Sequence, residues 1–514
     1  MAGDVKNNVN FLKFLLHGRG GPHTRKEPRF DMPVGIENLK KIFADCGDFV
    51  VNEVRVGGEA KLTASLCFID GIVSGDVIDR DVIRPLTSRE RFGEVRGEAE
   101  AVRLMSEGLV TNYTVRVRRD MDSAVEDILS GFCAVVFGGE RCAVTFEAKG
   151  GERRAVGEAQ TEKTVKGAKD AFTEVFRTNT GLIRRRMRNP DLRVSEMTVG
   201  RQTLSKIAVL YIEGITDPAM VGELRARLGL MDVDSALSAA SIEEYAVEKT
   251  GTPFPQIQMT EKPDRVCTAL LEGRAAILAD GLPFGFLVPG TFAEFMKVPE
   301  DMANHFIVAS ALTLLRYASM MISLLLPAVY VAITMFHQEM MPTQLMLSII
   351  ESKQEVPFST AVEILGMMLA LELLQEASLR LPQNIGDTMG IIGALIVGQS
   401  AVEAKVISPA VVIVAAVAGI TGYTVPDQDL SAALRLFRFL FAVMALLMGL
   451  YGIVLGVILL VWHLSTLENF GVPYLWPFSG SGAGEISQAL LRWPLRARKY
   501  RKSIYKTGNK RERR

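Results

Sequence analysis

The chain changes its hydrophobic pattern near residue 304. Before that point, short apolar runs of strand length alternate with amphipathic stretches and Gly-centred turns, which predicts an α/β region. Beyond it the apolar runs lengthen. "YASMMISLLLPAVYVAITMF", 317–336, is uncharged, and its roughly 20 residues at about 1.5 Å each cross a hydrocarbon core of about 30 Å. Further spans are predicted near 385–405, 406–426 and 439–464, the last being the most apolar. Between the first and second lies 359–381, an apolar helix with one polar edge formed by Glu372, Glu376 and Arg380 at i, i+4 spacing.

Compared with itself, the polar half shows a repeat. "CFIDGIV" at 67–73 is echoed by "YIEGIT" at 211–216, and "VEDILSGFCAVVFGGERCAVTF" at 125–146 by "CTALLEGRAAILADGLPFGFLV" at 267–288. Both longer segments read as a helix end, a stop at Gly131 or Gly273, a strand, a tight turn at Gly139 or Gly281, and a second strand. The expected architecture is therefore an α/β cytoplasmic region of two related subdomains plus an α-helical multi-pass transmembrane domain. The boundaries fall at 1–38 (a flexible N-terminal segment), 39–158 and 159–304 (the subdomains), 305–468 (the membrane domain) and 469–514 (a basic tail).

Composition narrows the chemistry. The 514 residues balance 58 basic against 58 acidic side chains, so no nucleic-acid-binding polyelectrolyte is indicated. Five cysteines, all in the polar half and without a C-x-x-C pair, argue against a disulfide framework or zinc site and for a reducing compartment. The five histidines are scattered, with no H-E-x-x-H, so no metal is expected. No Walker A loop, no G-x-G-x-x-G after a strand and no G-x-S-x-G occurs, which implies no cofactor and no catalytic residues; the chain reads as a non-enzyme.

The tail "RWPLRARKYRKSIYKTGNKRERR" is cytoplasmic by the positive-inside rule and suited to anionic lipid. Four spans then return the N-terminal half to the same side and leave Arg435 and Arg438 in an outer loop. "IRRRMR", 183–188, could grip phosphates, although a solvated or intersubunit face is the commoner fate of such a run.

Candidate functional residues lie among the apolar segments. "GALIVGQSAVEAKVISPAVVIV", 393–414, holds Glu403 and Lys405 near its middle, just before a Ser408-Pro409 helix-start signal. The two charges thus belong to a tight interhelical turn, or to the charged mouth of a water-filled path. Ionised groups near lipid must face water, protein or a counter-charge, so Glu372, Glu376 and Glu403 are the expected borders of an ion path. Gly386/Gly390 and Gly452/Gly456 have the G-x-x-x-G spacing that permits close helix contact within or between chains.

Several ordered stretches carry a family resemblance: "GAKDAFTE" (167–174), "NTGLIRRRMRNPDL" (179–192), "TPFPQIQMTEKPDRV" (252–266), "LLEGRAAILADGLPF" (270–284), "LPAVYVAITMFHQEMMP" (326–342), "EVPFSTAVE" (355–363), "RLPQNIG" (380–386), "ALIVGQSAVEAKVISP" (394–409) and "FGVPYLWP" (470–477). Together the chain resembles the A-subunit of the GerA-type spore germinant receptors. The resemblance implies a multi-pass protein of the dormant spore's inner membrane. It also implies partnership with a transporter-like B-subunit and a lipoprotein C-subunit, with copies of the A-subunit forming a homo-oligomer that acts as a nutrient-gated ion channel. A secondary transporter and a passive membrane scaffold are the competing readings.

Overall fold

The structure is a computed structural model. It describes residues 29–512 apart from 59–61, 94, 96, 111–113, 151–156, 158, 160, 163, 165, 237, 381–397, 481–482 and 495. Most of the N-terminal segment, most of the predicted 385–405 span, and Gly386 and Gly390 therefore lie outside the described residues. The chain divides into two compact units, one of Met1–Ala246, Met259–Pro289 and Trp493–Arg514, the other of Val247–Gln258 and Gly290–Arg492.

The first unit contains two five-stranded sheets. Strands β1 (Phe49–Arg55), β2 (Thr63–Ile69), β3 (Val115–Arg118), β4 (Phe132–Phe137) and β5 (Ala143–Glu147) lie in the order β1-β2-β4-β5-β3. Strands β6 (Leu192–Val199), β7 (Ser205–Ile212), β8 (Gln258–Thr260), β9 (Ala275–Ala279) and β10 (Gly285–Val288) repeat that order as β6-β7-β9-β10-β8. Ala64 pairs with Phe137 in the first sheet and Ile207 with Ala279 in the second, so the repeated segments also share their register. The middle strands β4 and β9 are buried along their whole length, which explains their unbroken apolar sequences.

Helix α1 (Met121–Leu129) precedes β4, α2 (Phe176–Arg186) leads into β6, and α3 (Pro263–Glu272) precedes β9. Asp120 caps α1 by accepting from the Ser123 amide at 2.7 Å. Asp127 of α1 accepts from Thr145 Oγ1 at 2.7 Å and from Arg118 Nε at 2.7 Å, tying the helix to β5 and β3. Burial would raise the Asp127 pKa, but the bonds from Arg118 and Thr145 and the charges of Arg118 and Arg116 outweigh it and hold the carboxyl below its ordinary value. All five cysteines are free and buried. Burial pushes the Cys67 and Cys267 thiols up to about 12, and Cys133 up as well.

The joint between the two subdomains corrects the reading of the arginine run. Arg184 is neither solvated nor free to hold a phosphate. Its Nε lies 2.7 Å and its Nη2 2.9 Å from the two carboxylate oxygens of Asp48, with side-chain exposures of 1% and 0%. Its third nitrogen donates to the Leu192 carbonyl at 2.9 Å. Arg186 pairs with Asp170, and Arg185 donates to the Gly150 carbonyl at 2.8 Å. Arg193 reaches back to the Ile42 and Ala44 carbonyls at 2.6 and 2.8 Å. Beside this clamp the backbones of Gly71 and Gly181 meet so closely that a Cβ on Gly71 would sit 2.5 Å from the Arg177 carbonyl oxygen.

The end of the basic tail belongs to the same unit. Glu272, at the C-terminus of α3, takes Lys502 Nζ at 2.6 Å and Arg498 Nη2 at 2.9 Å. Arg501 Nε donates to the Leu271 carbonyl at 2.7 Å, where cations are favoured by the unpaired carbonyls and the helix dipole. The amides of Gly508 and Asn509 bond the Ile215 and Gly214 carbonyls at 3.2 and 3.0 Å. Lipid attraction had been the expected role of this segment; these basic groups instead have protein partners.

The second unit is helical: α4 (Phe306–Phe336), α5 (Thr343–Lys353), α6 (Thr360–Arg380), α7 (Pro409–Gly422) and α8 (Gln428–Thr466). Two of these, α4 and α8, are long and apolar enough to cross a membrane. Helix α7 is shorter than the predicted 406–426 span: 14 residues extend only about 21 Å. Helix α8 is longer than the predicted 439–464 span and is not straight. Gly449 has φ 58° and ψ −139°, a conformation open essentially to glycine alone. Arg435 and Arg438 are in α8, not in an outer loop, because the helix starts early: Asp427 caps it by accepting from the Leu430 amide at 2.9 Å. Leu324, Val331, Ile364, Met367, Val411, Phe441 and Leu460 form the core. Leu315, Ile420, Leu447, Val454 and Trp462 point outward and are exposed, an apolar outer surface suited to lipid or a partner.

Candidate functional site

Glu372, on the polar edge of α6, meets α8. Its Oε1 is 2.8 Å from Arg435 Nη1 and its Oε2 is 3.5 Å from Arg438 Nη2. Arg435 and Arg438 are three apart on one helix, so both heads turn to the same neighbour. Arg438 is buried and also donates to the Ala418 carbonyl of α7 at 3.3 Å. Glu372 is thus a carboxylate shared by two arginines, an arrangement sequence reasoning missed by placing those arginines in a loop. Glu376, one turn further along α6, is exposed.

Glu403 and Lys405 do not pair with each other. Gln399 Nε2 donates to Glu403 Oε1 at 3.0 Å, and Lys405 Nζ lies 2.6 Å from Glu355 Oε2. Lys405 has a positive φ of 54° and stands in the turn that leads to α7. Glu372 is brought to two charged groups on another apolar helix.

Gly452 and Gly456 pack inside the chain. After the break at Gly449, a Cβ on Gly456 would lie 2.8 Å from the Phe441 ring, and one on Gly452 would overlap the Met444 carbonyl. Residues before and after the break therefore lie against each other.

A second polar group went unnoticed in the sequence. Glu363 of α6 has a fully buried side chain, and its Oε2 accepts from the Ser408 amide at the start of α7 at 2.8 Å. The Ser408 hydroxyl does not cap its own helix as its position had suggested; the Glu363 carboxylate takes that end. Its signal was a lone acid in "STAVEILG". Among the described residues no group of three or more His, Cys, Asp or Glu side chains could hold a metal ion.

Residues 37–504 match the family model described as Bacillus/Clostridium GerA spore germination protein. Spore germination protein KA of Bacillus subtilis (strain 168) is 36% identical over 459 residues, covering 89% of this chain and 84% of that protein. Spore germination protein B1 of the same organism is 33% identical over 464 residues, covering 90% and 95%. Spore germination protein GerLA of Bacillus cereus is 32% identical over 461 residues, covering 89% and 93%. Among solved structures, the N-terminal domain of the A subunit of the Bacillus megaterium spore germinant receptor GerK3 aligns with 30% identity and a TM-score of 0.40, over 50% of this chain and 93% of that one.

Proposed function

The chain belongs to the Bacillus/Clostridium GerA spore germination protein family, and from that we propose that it is a membrane subunit of a nutrient germinant receptor whose copies assemble into a nutrient-gated ion channel. In this reading it is not an enzyme, and it works with a transporter-like B-subunit and a lipoprotein C-subunit in the spore inner membrane. The observation that carries the channel reading is Glu372, held between Arg435 and Arg438 among apolar helices. Ionisable groups among apolar helices are rare, pair with one another, and are a recurrent mark of ion paths. Glu376 and Glu403 would border the same path in a ring of subunits. The tail's contacts with Glu272 inside the first unit support placing tail and soluble subdomains together on the cytoplasmic side.

The test is to replace Glu372, Glu376 and Glu403 by Gln one at a time and to record assembly and planar-bilayer conductance. Unchanged assembly with altered conductance is expected; three variants that conduct like the parent would put the pore elsewhere. A secondary transporter is the second reading, favoured by the break in α8 at Gly449, since broken helices often frame transport sites. Coupled, saturable uptake without channel-like conductance would select it.

A further inference from the structure

Glu363 Oε1 is buried and accepts no hydrogen bond. The Ser408 hydroxyl, on a fully buried residue, and the Tyr330 hydroxyl are buried as well and lie against each other. Tyr330 lies beside both Ser408 and Glu363. A carboxylate oxygen without a hydrogen-bond donor and two hydroxyls thus gather where helices α4, α6 and α7 meet, and a buried carboxylate oxygen left in that state is costly enough to be rare. The group that approaches them is an ammonium. Lys353 Nζ stands 3.2 Å from Glu363 Oε1 as an ion pair, though not along a hydrogen-bond line, and donates to Thr360 Oγ1.

We propose that the pocket around Glu363 is a site for a small monovalent cation, occupied in this conformation by the chain's own Lys353 ammonium. The donor set is all oxygen with one formal negative charge: a carboxylate and the hydroxyls of Ser408, Tyr330 and Thr360. It suits a singly charged ion. A divalent cation would draw on more carboxylates or carbonyls, and transition metals on imidazole or thiolate. Lysine is a cation on a tether, and its tether is loosely anchored. It ends α5, a helix with no buried residue, so the Lys353 head is what fastens the end of that helix to the buried carboxylate. A free cation that takes the pocket releases α5, and conversely the docked lysine excludes the ion. This inference does not depend on the channel reading.

The experiment uses the full chain in detergent, comparing potassium chloride with choline chloride at equal ionic strength. The Lys353→Ala variant empties the pocket and leaves Glu363 without a counter-charge. Its thermal midpoint should rise saturably with potassium but not with choline, the parent should respond much less, and Glu363→Gln added to Lys353→Ala should abolish the response. Equal behaviour in the two salts, or a potassium response that survives Glu363→Gln, overturns the proposal. Should Lys353→Ala fail to fold, tryptic cleavage of the parent after Lys353 decides: potassium should speed it several-fold relative to choline, and equal rates count against the site.

Discussion

Arg184 extends from the second subdomain and sets two guanidinium nitrogens on the carboxylate of Asp48 in the first, at 2.7 and 2.9 Å and out of reach of solvent. The pair joins two sheets that each have their own core. Such a bond contributes less by its own attraction than by what its loss leaves behind, since a single buried charge has no water to turn to.

Asp48→Ala should therefore destabilise the folded chain by about 3–5 kcal/mol, as expected for one stranded buried charge. Removing both charges together with Asp48→Leu and Arg184→Met should cost clearly less than the sum of the two single changes. Denaturant midpoints of the four proteins measure this; strictly additive effects would show that the two side chains do not act as a pair.

Gly449→Ala places a Cβ 3.0 Å from the His337 ring and 3.1 Å from Phe336, at a backbone conformation that side chains resist. A loss of about 1–3 kcal/mol is expected. Leu447→Ala, at an exposed position two residues away, is the control and should change the thermal midpoint little. Equal midpoints for the two variants would mean that the bend is not needed.

Acid should act through Asp127. Its folded pKa is lowered, so the carboxylate contributes stability that is complete above the ordinary aspartate value of about 3.9 and disappears as pH falls through the folded value. The stability gap between the parent and Asp127→Asn should be widest at neutral pH and narrow as the solution is taken below pH ~4. Urea midpoints at neutral and acid pH test this, and a constant gap would exclude Asp127 as the titrating group.

The thiols of Cys67, Cys133 and Cys267 should resist iodoacetamide at pH ~8, because burial raises all three above the range where thiolate forms and also blocks access. Peptide mass spectrometry before and after denaturation reads this directly. Rapid native alkylation of Cys133, at the centre of the first sheet, would contradict its placement.

The two-sheet plan was legible because each copy kept its apolar runs and turn glycines at matching spacing, and local pattern is what a sequence displays best. The joint was hidden. Asp48 and Arg184 stand 136 residues apart, and an arginine run looks the same whether it meets water, phosphate or a buried carboxylate. The break in α8 was hidden for a different reason: "MGLYGIVLG" offers three glycines, and the choice of Gly449 depends on Phe336 and His337 from a distant segment. Of the site, Glu372 was legible as a polar edge on an oily helix, but its arginine partners were assigned to a loop. Glu363 was passed over because one acid in an apolar run carries no periodicity.

The discontinuity of the first unit bears on how the molecule is made. Its last piece, Trp493–Arg514, leaves the ribosome only after every helix of the second unit has been synthesised. Until then Glu272 stands at the end of α3 without Lys502 and Arg498, and the Gly214 and Ile215 carbonyls lack the amides that later bond them. Folding during synthesis usually proceeds from the N-terminus outward, yet here the earliest domain is closed by the latest residues. A chain stalled or clipped anywhere in its helical half displays an unfinished first unit, so loss of the tail is reported in the second subdomain, at Gly214, Ile215 and Glu272.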